Sequence, residues 1–554
     1  MYVYTAIDHR LLDERVALFR DQTRRYLAGD LSDDEFRHLR LRNGLYVQRF
    51  APMLRVSVPY GMLSSRQVRK LAHIARAYDK GYAHVSTRQN IQYNWPELAE
   101  VPEILAELAT VEMHAIQTSG NCIRNITTDH FAGVAADEVA DPRPWCELIR
   151  QWATFHPEFN WLPRKFKIAV TATAHDRSAW LFNDIGVRLD RIRGDETYFS
   201  VAVGGGLGRT PMVGTIIKQD LPGADLLSYL EAVLRVYNQH GRRDNKYKAR
   251  IKIIVKAFGP DVFAQMVEDE WQWIKDGPMQ VPATEIARLA SCFTAPSYEA
   301  LPAQDATIDK LIAENQSFRF WHRNNVFAHR VPGYAMVMLS LKATGIAPGD
   351  VTDEQLDAIA DLADLYSGGE IRTTHDQNLV LADVKITDLP ALWDALKTLG
   401  FATPNIGKLT DIIACPGGDF CSLANAKSIP IAEQIQRRFD DLDYLYEIGD
   451  IDLNISGCMN ACGHHHIGHI GVLGVDKKGE EFYQIQVGGN MGHDGTLGEV
   501  LGPSFYAHEV ADVVEKIIDV YLERRLDEDE RFIATFRRIG IESFRERVYA
   551  KDHS

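Results

Sequence analysis

Four of the chain's seven cysteines fall in two tight pairs, Cys415-Pro-Gly-Gly-Asp-Phe-Cys421 and Cys458-Met-Asn-Ala-Cys462. Thiolates are soft ligands that suit zinc or iron–sulfur clusters. Structural zinc favours two to four residues between paired thiols, and the first pair is wider than that. Gly417, Gly418, Gly457 and Gly463 flank the thiols and let backbone N–H groups come close to sulfide and thiolate. The pattern reads as one 4Fe–4S cluster. Cys122, Cys146 and Cys292 are scattered and read as ordinary thiols.

The stretch Ser456-Gly-Cys-Met-Asn-Ala-Cys462, with a C-x5-C pair upstream, resembles the cluster motif of the sirohaem-containing sulfite and nitrite reductases, whose usual form is T-G-C-P-N-G-C. Ser456, Met459 and Ala461 are the departures. The resemblance implies that Cys415, Cys421, Cys458 and Cys462 ligate the cluster. It also implies that Cys462 bridges to the sirohaem iron as axial thiolate and that Asn460 lies beside the macrocycle. The fold it implies is α+β and internally duplicated: a pseudo-twofold arrangement of two ferredoxin-like half-domains and two larger α/β sirohaem/Fe–S domains.

A small oxyanion such as sulfite needs fixed cations around it. Four positions match the family's anion-binding, catalytic residues: Arg55, Arg124 in Asn121-Cys-Ile-Arg-Asn125, and Lys165 and Lys167 in Leu162-Pro-Arg-Lys-Phe-Lys167. One residue separates the two lysines, so on a strand both ammonium groups share a face. In a water-poor cavity each is worth several-fold more than at the surface.

Sirohaem carries eight carboxylates, which call for positive charge. Residues 242–256 hold seven cations and one acid in a chain of formal net charge −15. Lys246, Lys248, Arg250 and Lys252 alternate with Tyr247, Ala249, Ile251 and Ile253, which predicts a strand with one cationic face. The resemblance makes Arg250 and Lys252 carboxylate partners, joined by Ser86, Arg88, Gln92 and Arg164. His84 stands where relatives often carry arginine.

Two other signals carry less. Val203-Gly-Gly-Gly-Leu-Gly208 is followed by Arg209, so it does not fit G-x-G-x-x-G and does not predict a dinucleotide site. His464, His465 and His466 follow Cys462 after a single glycine and read as packing or hydrogen-bonding groups around the cluster.

The elements that must position these residues repeat. Shifted by 288 residues, Val68, Leu71, Ala72, Ala75, Tyr78 and Gly81 fall on Leu356, Ile359, Ala360, Ala363, Tyr366 and Gly369. Gln89-Asn90-Ile91 falls on Gln377-Asn378-Leu379, and Val203–Gly208 returns as Val487-Gly-Gly-Asn-Met-Gly492. The chain therefore reads A-B-A′-B′, with a site expected between halves. Met53–Pro59 and His84–Gln92 read as strands around a helix capped by Ser64 or Ser65. The expected division is a helical arm without readable chemistry (1–48), a half-domain (49–112), a sirohaem and substrate domain (113–275), a helical linker (276–328), a second half-domain (329–400) and a cluster domain with terminal helices (401–554).

The acidic balance argues against nucleic-acid binding. The N-terminus lacks a signal-peptide pattern, and no run of eighteen apolar residues offers a membrane span. Unpaired cysteines in metal-like spacing suit a reducing compartment, so a cytoplasmic protein is expected. The resemblance implies six-electron reduction of sulfite to sulfide. Nitrite reduction is the alternative, and cluster-based electron transfer without catalysis a third. No flavin or nicotinamide module is visible, so electrons are expected from a ferredoxin or a flavoprotein reductase.

Overall fold

The computed structural model describes residues 1–550. Its two ferredoxin-like half-domains each hold a five-stranded sheet. The first runs Leu45–Val47, Pro52–Val56, Ile91–Tyr93, Tyr82–Val85, Asp350–Thr352, and the second Val326–Ala328, Tyr334–Leu339, Leu379–Lys385, Glu370–Thr373, Met62–Ser64. Each sheet thus takes its last strand from the other half. That exchange ties the two halves into one body.

Directly after each exchanged strand comes a helix, Ser65–Tyr78 or Asp353–Tyr366, and both open with a capping box, Ser64 with Gln67 and Thr352 with Gln355. The apolar stripes of both helices enter one shared core. Across their outer faces Arg69 pairs with Asp361 and Asp364, and Arg76 with Asp353 and Asp357.

The two larger domains repeat in the same way. Strand Ile168–Thr171 runs parallel to Ile185–Arg193, which continues antiparallel through Glu196–Val203 and Thr215–Pro222. Its counterpart Leu453–Ser456 runs parallel to Ile470–Lys477, followed antiparallel by Glu480–Val487. Each domain has its own apolar core. Residues 276–328 hold the helices Ala283–Ala290, Ala306–Glu314 and Gln316–Asn325.

Two local expectations are corrected. The stretch His84–Gln92 is two strands joined by a turn, closed by Gln89 N–H donating to Ser86 O at 3.0 Å, with Gln89 at φ 56°. Gln377 repeats that left-handed conformation at φ 61°. The basic segment 242–256 is not a strand. Residues 242–249 are irregular, and Ile251–Phe258 is a helix with Arg250 at its N-cap. Burial decides here: Ile251, Ile254 and Val255 recur at helical spacing and pack into the core, and this outweighs the alternation of charge. Among the described residues no helix is long and apolar enough to cross a membrane.

Candidate active site

Cys415, Cys421, Cys458 and Cys462 line one cavity of about 350 Å³. Six cations share its wall, Arg55, Arg88, Arg124, Arg164, Lys165 and Lys167, and among the described residues no aspartate or glutamate does. Ser86, Gln92 and Asn460 line it too.

The cysteines are set by two parallel neighbours. Cys415 follows strand Ile413–Ala414, and Cys458 comes two residues after Leu453–Ser456. Gly457 N–H points at Cys415 Sγ, 3.2 Å away. A side chain is excluded there, because a Cβ on Gly457 would lie 2.6 Å from Ala426 O, and one on Gly463 only 1.9 Å from Ile455 O. Ala461 sits at φ 53°, a conformation glycine adopts more easily, which accounts for glycine in the usual form of this motif. Burial, then the nearby Cys462, pushes the Cys415 thiol up to about 12. Ligation to metal reverses this by removing the proton.

Among the described residues no three His, Cys, Asp or Glu side chains gather closely enough for a single metal ion. A multi-iron cluster, whose irons and sulfides stand between its ligands, needs wider spacing than one zinc. Four thiols facing a wall of cations without a carboxylate fit a thiolate-held cluster beside a polyanionic macrocycle.

The cations are held by backbone and strand register. Arg55, Gln92, His84 and Asp350 form one rung across four strands. Arg55 Nε donates to Gln92 Oε1 at 2.8 Å, and His84 Nδ1 meets Asp350 Oδ1 at 2.7 Å. Arg124 donates to Thr118 O and Gly120 O, and Arg88 to Asn183 Oδ1 and Asn125 O. Lys165 and Lys167 lie in extended chain just before Ile168–Thr171, with Phe166 bridging Ile123. The expected common face is therefore present.

Crowded, poorly solvated cations lose protons more easily. Burial, then Arg124, lowers Arg88 to about 9. Burial, opposed by Cys462 and reinforced by Arg124, lowers Lys165 to about 7. Lys167 is pulled down strongly, by burial first and then by Arg88 and Lys165. An anion among them restores their charge.

Arg250 and Lys252 stand behind this wall. Arg250 makes a two-pronged contact with Asp184, both bonds 2.7 Å, and Lys252 Nζ donates to Leu207 O at 2.8 Å. Asp184 Oδ2 also accepts from the Lys167 backbone N–H at 2.8 Å. Asp184 is thus a positioning residue that the motif reading missed; nothing in its sequence surroundings marks it. The N-terminal arm, residues 1–48, also reaches this region. Arg15, Arg37 and Arg42 of its helices line a cavity of about 710 Å³ that shares Gly120, Asn121, Arg164, Cys458 and Asn460 with the first.

Of the three histidines after Cys462, His464 lines the thiol cavity and His465 is buried without a hydrogen-bond partner. His466 is hydrogen-bonded to Gln486 Oε1 and Gly208 O.

The duplication carries this site onto a second cavity of about 840 Å³. Asn90 Oδ1 accepts from Val58 N–H at 3.2 Å, and Asn378 Oδ1 from Leu341 N–H at 3.1 Å, so the two turns superpose. Where Ser86-Thr-Arg-Gln-Asn90 has Arg88, Thr374-His-Asp-Gln-Asn378 has Asp376. Asp376, Asp450 and Asp452 line this second cavity.

Comparison with known proteins settles the family. The nitrite and sulphite reductase 4Fe–4S domain matches residues 119–275 and 407–553, and the nitrite/sulfite reductase ferredoxin-like half domain matches 48–111 and 329–399. The chain belongs to the nitrite and sulfite reductase family. With membership come the family's cofactors, sirohaem and a 4Fe–4S cluster. The chain is 29% identical to the sulfite reductase (ferredoxin) of Mycobacterium tuberculosis, over 87% of this chain and 81% of that one. It is 27% identical to the chloroplastic ferredoxin–nitrite reductase of Arabidopsis thaliana, over 84% and 75%. The solved structure of the Mycobacterium tuberculosis NirA protein superposes with a TM-score of 0.75 at 26% identity, covering 93% of this chain and 92% of that one.

Proposed function

We propose that this reductase converts sulfite to sulfide. One observation carries the reading: four thiols and six cations, Lys167 among them, face a single cavity without a carboxylate. Cys415, Cys421, Cys458 and Cys462 would hold the cluster, while Arg88, Arg164, Ser86, Gln92 and Asn460 would meet the macrocycle. When bound, that pair would supply low-potential electrons and a metal centre for the anion.

The rest is the work of the chain. Arg55, Arg124, Lys165 and Lys167 orient the oxyanion and draw charge onto its oxygens, so that each oxygen leaves as water once protonated. Bisulfite, six electrons and six protons give hydrosulfide and three waters. Lys165, lowered to about 7, can hand on a proton near neutral pH and regain it from solvent. Asp184 and Arg250 fix the backbone that carries Lys167.

Nitrite is the second reading, favoured by the named nitrite reductases among the relatives. Lysine at 167 supports sulfite, since nitrite-preferring members tend to carry asparagine there. The electron donor is a ferredoxin, as in the ferredoxin-dependent sulfite and nitrite reductases that the chain resembles, and the protein works in the cytoplasm, where free thiols persist. The test is sulfide production from sulfite by cofactor-replete protein with reduced methyl viologen. Absence of sulfide from sulfite overturns the proposal.

A further inference from the structure

The outer cavity of about 710 Å³ adjoins the thiol cavity, sharing Arg164, Cys458 and Asn460 with it, and is lined by Arg15, Arg37, Arg42, Arg164, Arg209 and Lys246, among the described residues again without an aspartate or glutamate. In a chain of net charge −15 such a wall is against the average. Among the described residues only Arg37 of these six has a carboxylate partner, Asp34 at 2.9 Å.

The remaining cations are held by neutral contacts. Arg42 lies 4.6 Å over the Trp161 ring and Arg209 4.6 Å over Tyr247. Arg15 Nη2 donates to Arg42 O and Asn43 Oδ1, which leaves its buried Nε without a partner. Aromatic faces hold a guanidinium in place without neutralising it, so the charge stays free for an anion. Three separate parts of the chain converge here: the arm, the Gly208–Arg209 loop and the irregular basic segment around Lys246.

We propose that the N-terminal arm is part of the active site, and that Arg15 and Arg42, with Arg209 and Lys246, form an outer oxyanion-binding vestibule. This rests on the proposed reduction of a small oxyanion. Its ligand chemistry is an anionic oxygen, from free substrate drawn inward or from carboxylates at the macrocycle edge.

The test uses cofactor-replete enzyme carrying Arg42→Glu or Arg209→Glu, with Arg10→Glu as control on an exposed part of the arm, where Arg10 pairs only with Glu14. kcat/KM for nitrite and sulfite is measured at low and high ionic strength, and sirohaem absorbance is followed through gel filtration. If substrate is the ligand, kcat/KM falls about tenfold or more at low salt, mainly through KM, and the gap closes at high salt. If the macrocycle is the ligand, the two variants shed sirohaem while the control keeps it. Vestibule variants that match the control in both readouts overturn the inference. A parent enzyme that reduces neither anion overturns the functional reading instead, so the two failures are distinct.

Discussion

Lys167 and Asp452 occupy the same place in the two halves of the chain. Each is the residue just before the strand that runs parallel to its neighbour, and each accepts at its carbonyl from that neighbour's first residue, Ile185 N–H to Lys167 O at 3.1 Å and Ile470 N–H to Asp452 O at 3.0 Å. By the same register Lys165 corresponds to Asp450. One duplicated frame therefore builds one cavity walled by cations and a second in which six aspartates outnumber three arginines. A polycarboxylate macrocycle should occupy only the first, giving one sirohaem per chain by pyridine haemochrome assay against protein concentration. Two per chain contradicts the charge argument.

Removing the Cys462 thiol should cost both cofactors their coupling. Cys462→Ala should lose cluster absorbance and the coupled spectroscopic signature of the pair, whereas Cys292→Ala should keep both, since Cys292 lies outside either cavity. Iron and sulfide content with electron paramagnetic resonance checks this.

Lys167→Ala should keep sirohaem and cluster absorbance and lose turnover by on the order of 10²-fold, the usual effect of removing one preorganised charge from such a site. Equal activity in variant and parent removes Lys167 from the reaction.

Asp184 is fully buried and anchors both Arg250 and the Lys167 backbone. Asp184→Ala leaves the largely covered Arg250 guanidinium, 13% exposed, without its partner and should lower stability by about 3 kcal/mol, read from urea unfolding of the purified chain. A change within experimental error contradicts the anchoring role.

The pH response follows from Lys165. Its folded value of about 7 means the ammonium is present below that pH and lost above it, while a bound anion raises the value. Binding therefore takes up a proton above pH 7, and anion affinity declines as pH rises. Nitrite is the suitable probe because it stays fully ionised across this range. Its KM should be flat below pH 7 and climb above it, and Lys165→Arg should flatten the climb.

How much of this was legible in sequence depends on the kind of signal. The cysteine spacing and the 288-residue repeat are local patterns repeated in order, and they led to the duplicated fold. Lys165 and Lys167 were legible because extended chain puts alternate residues on one face. The segment 242–256 misled because its charges alternate while its apolar residues follow helical spacing, and core packing decides between the two. Asp184 and the arm arginines were not legible. Their roles come from contacts across long stretches of chain, such as Asp184 with Arg250, and a lone aspartate or a basic helix looks the same when it is merely solvated.

The most direct test of the central claim is kcat/KM for sulfite and nitrite measured side by side, anaerobically, on enzyme expressed with sirohaem synthesis supported and driven by reduced methyl viologen. The account predicts a clear preference for sulfite with sulfide as product. A preference for nitrite with ammonia as product contradicts the substrate assignment.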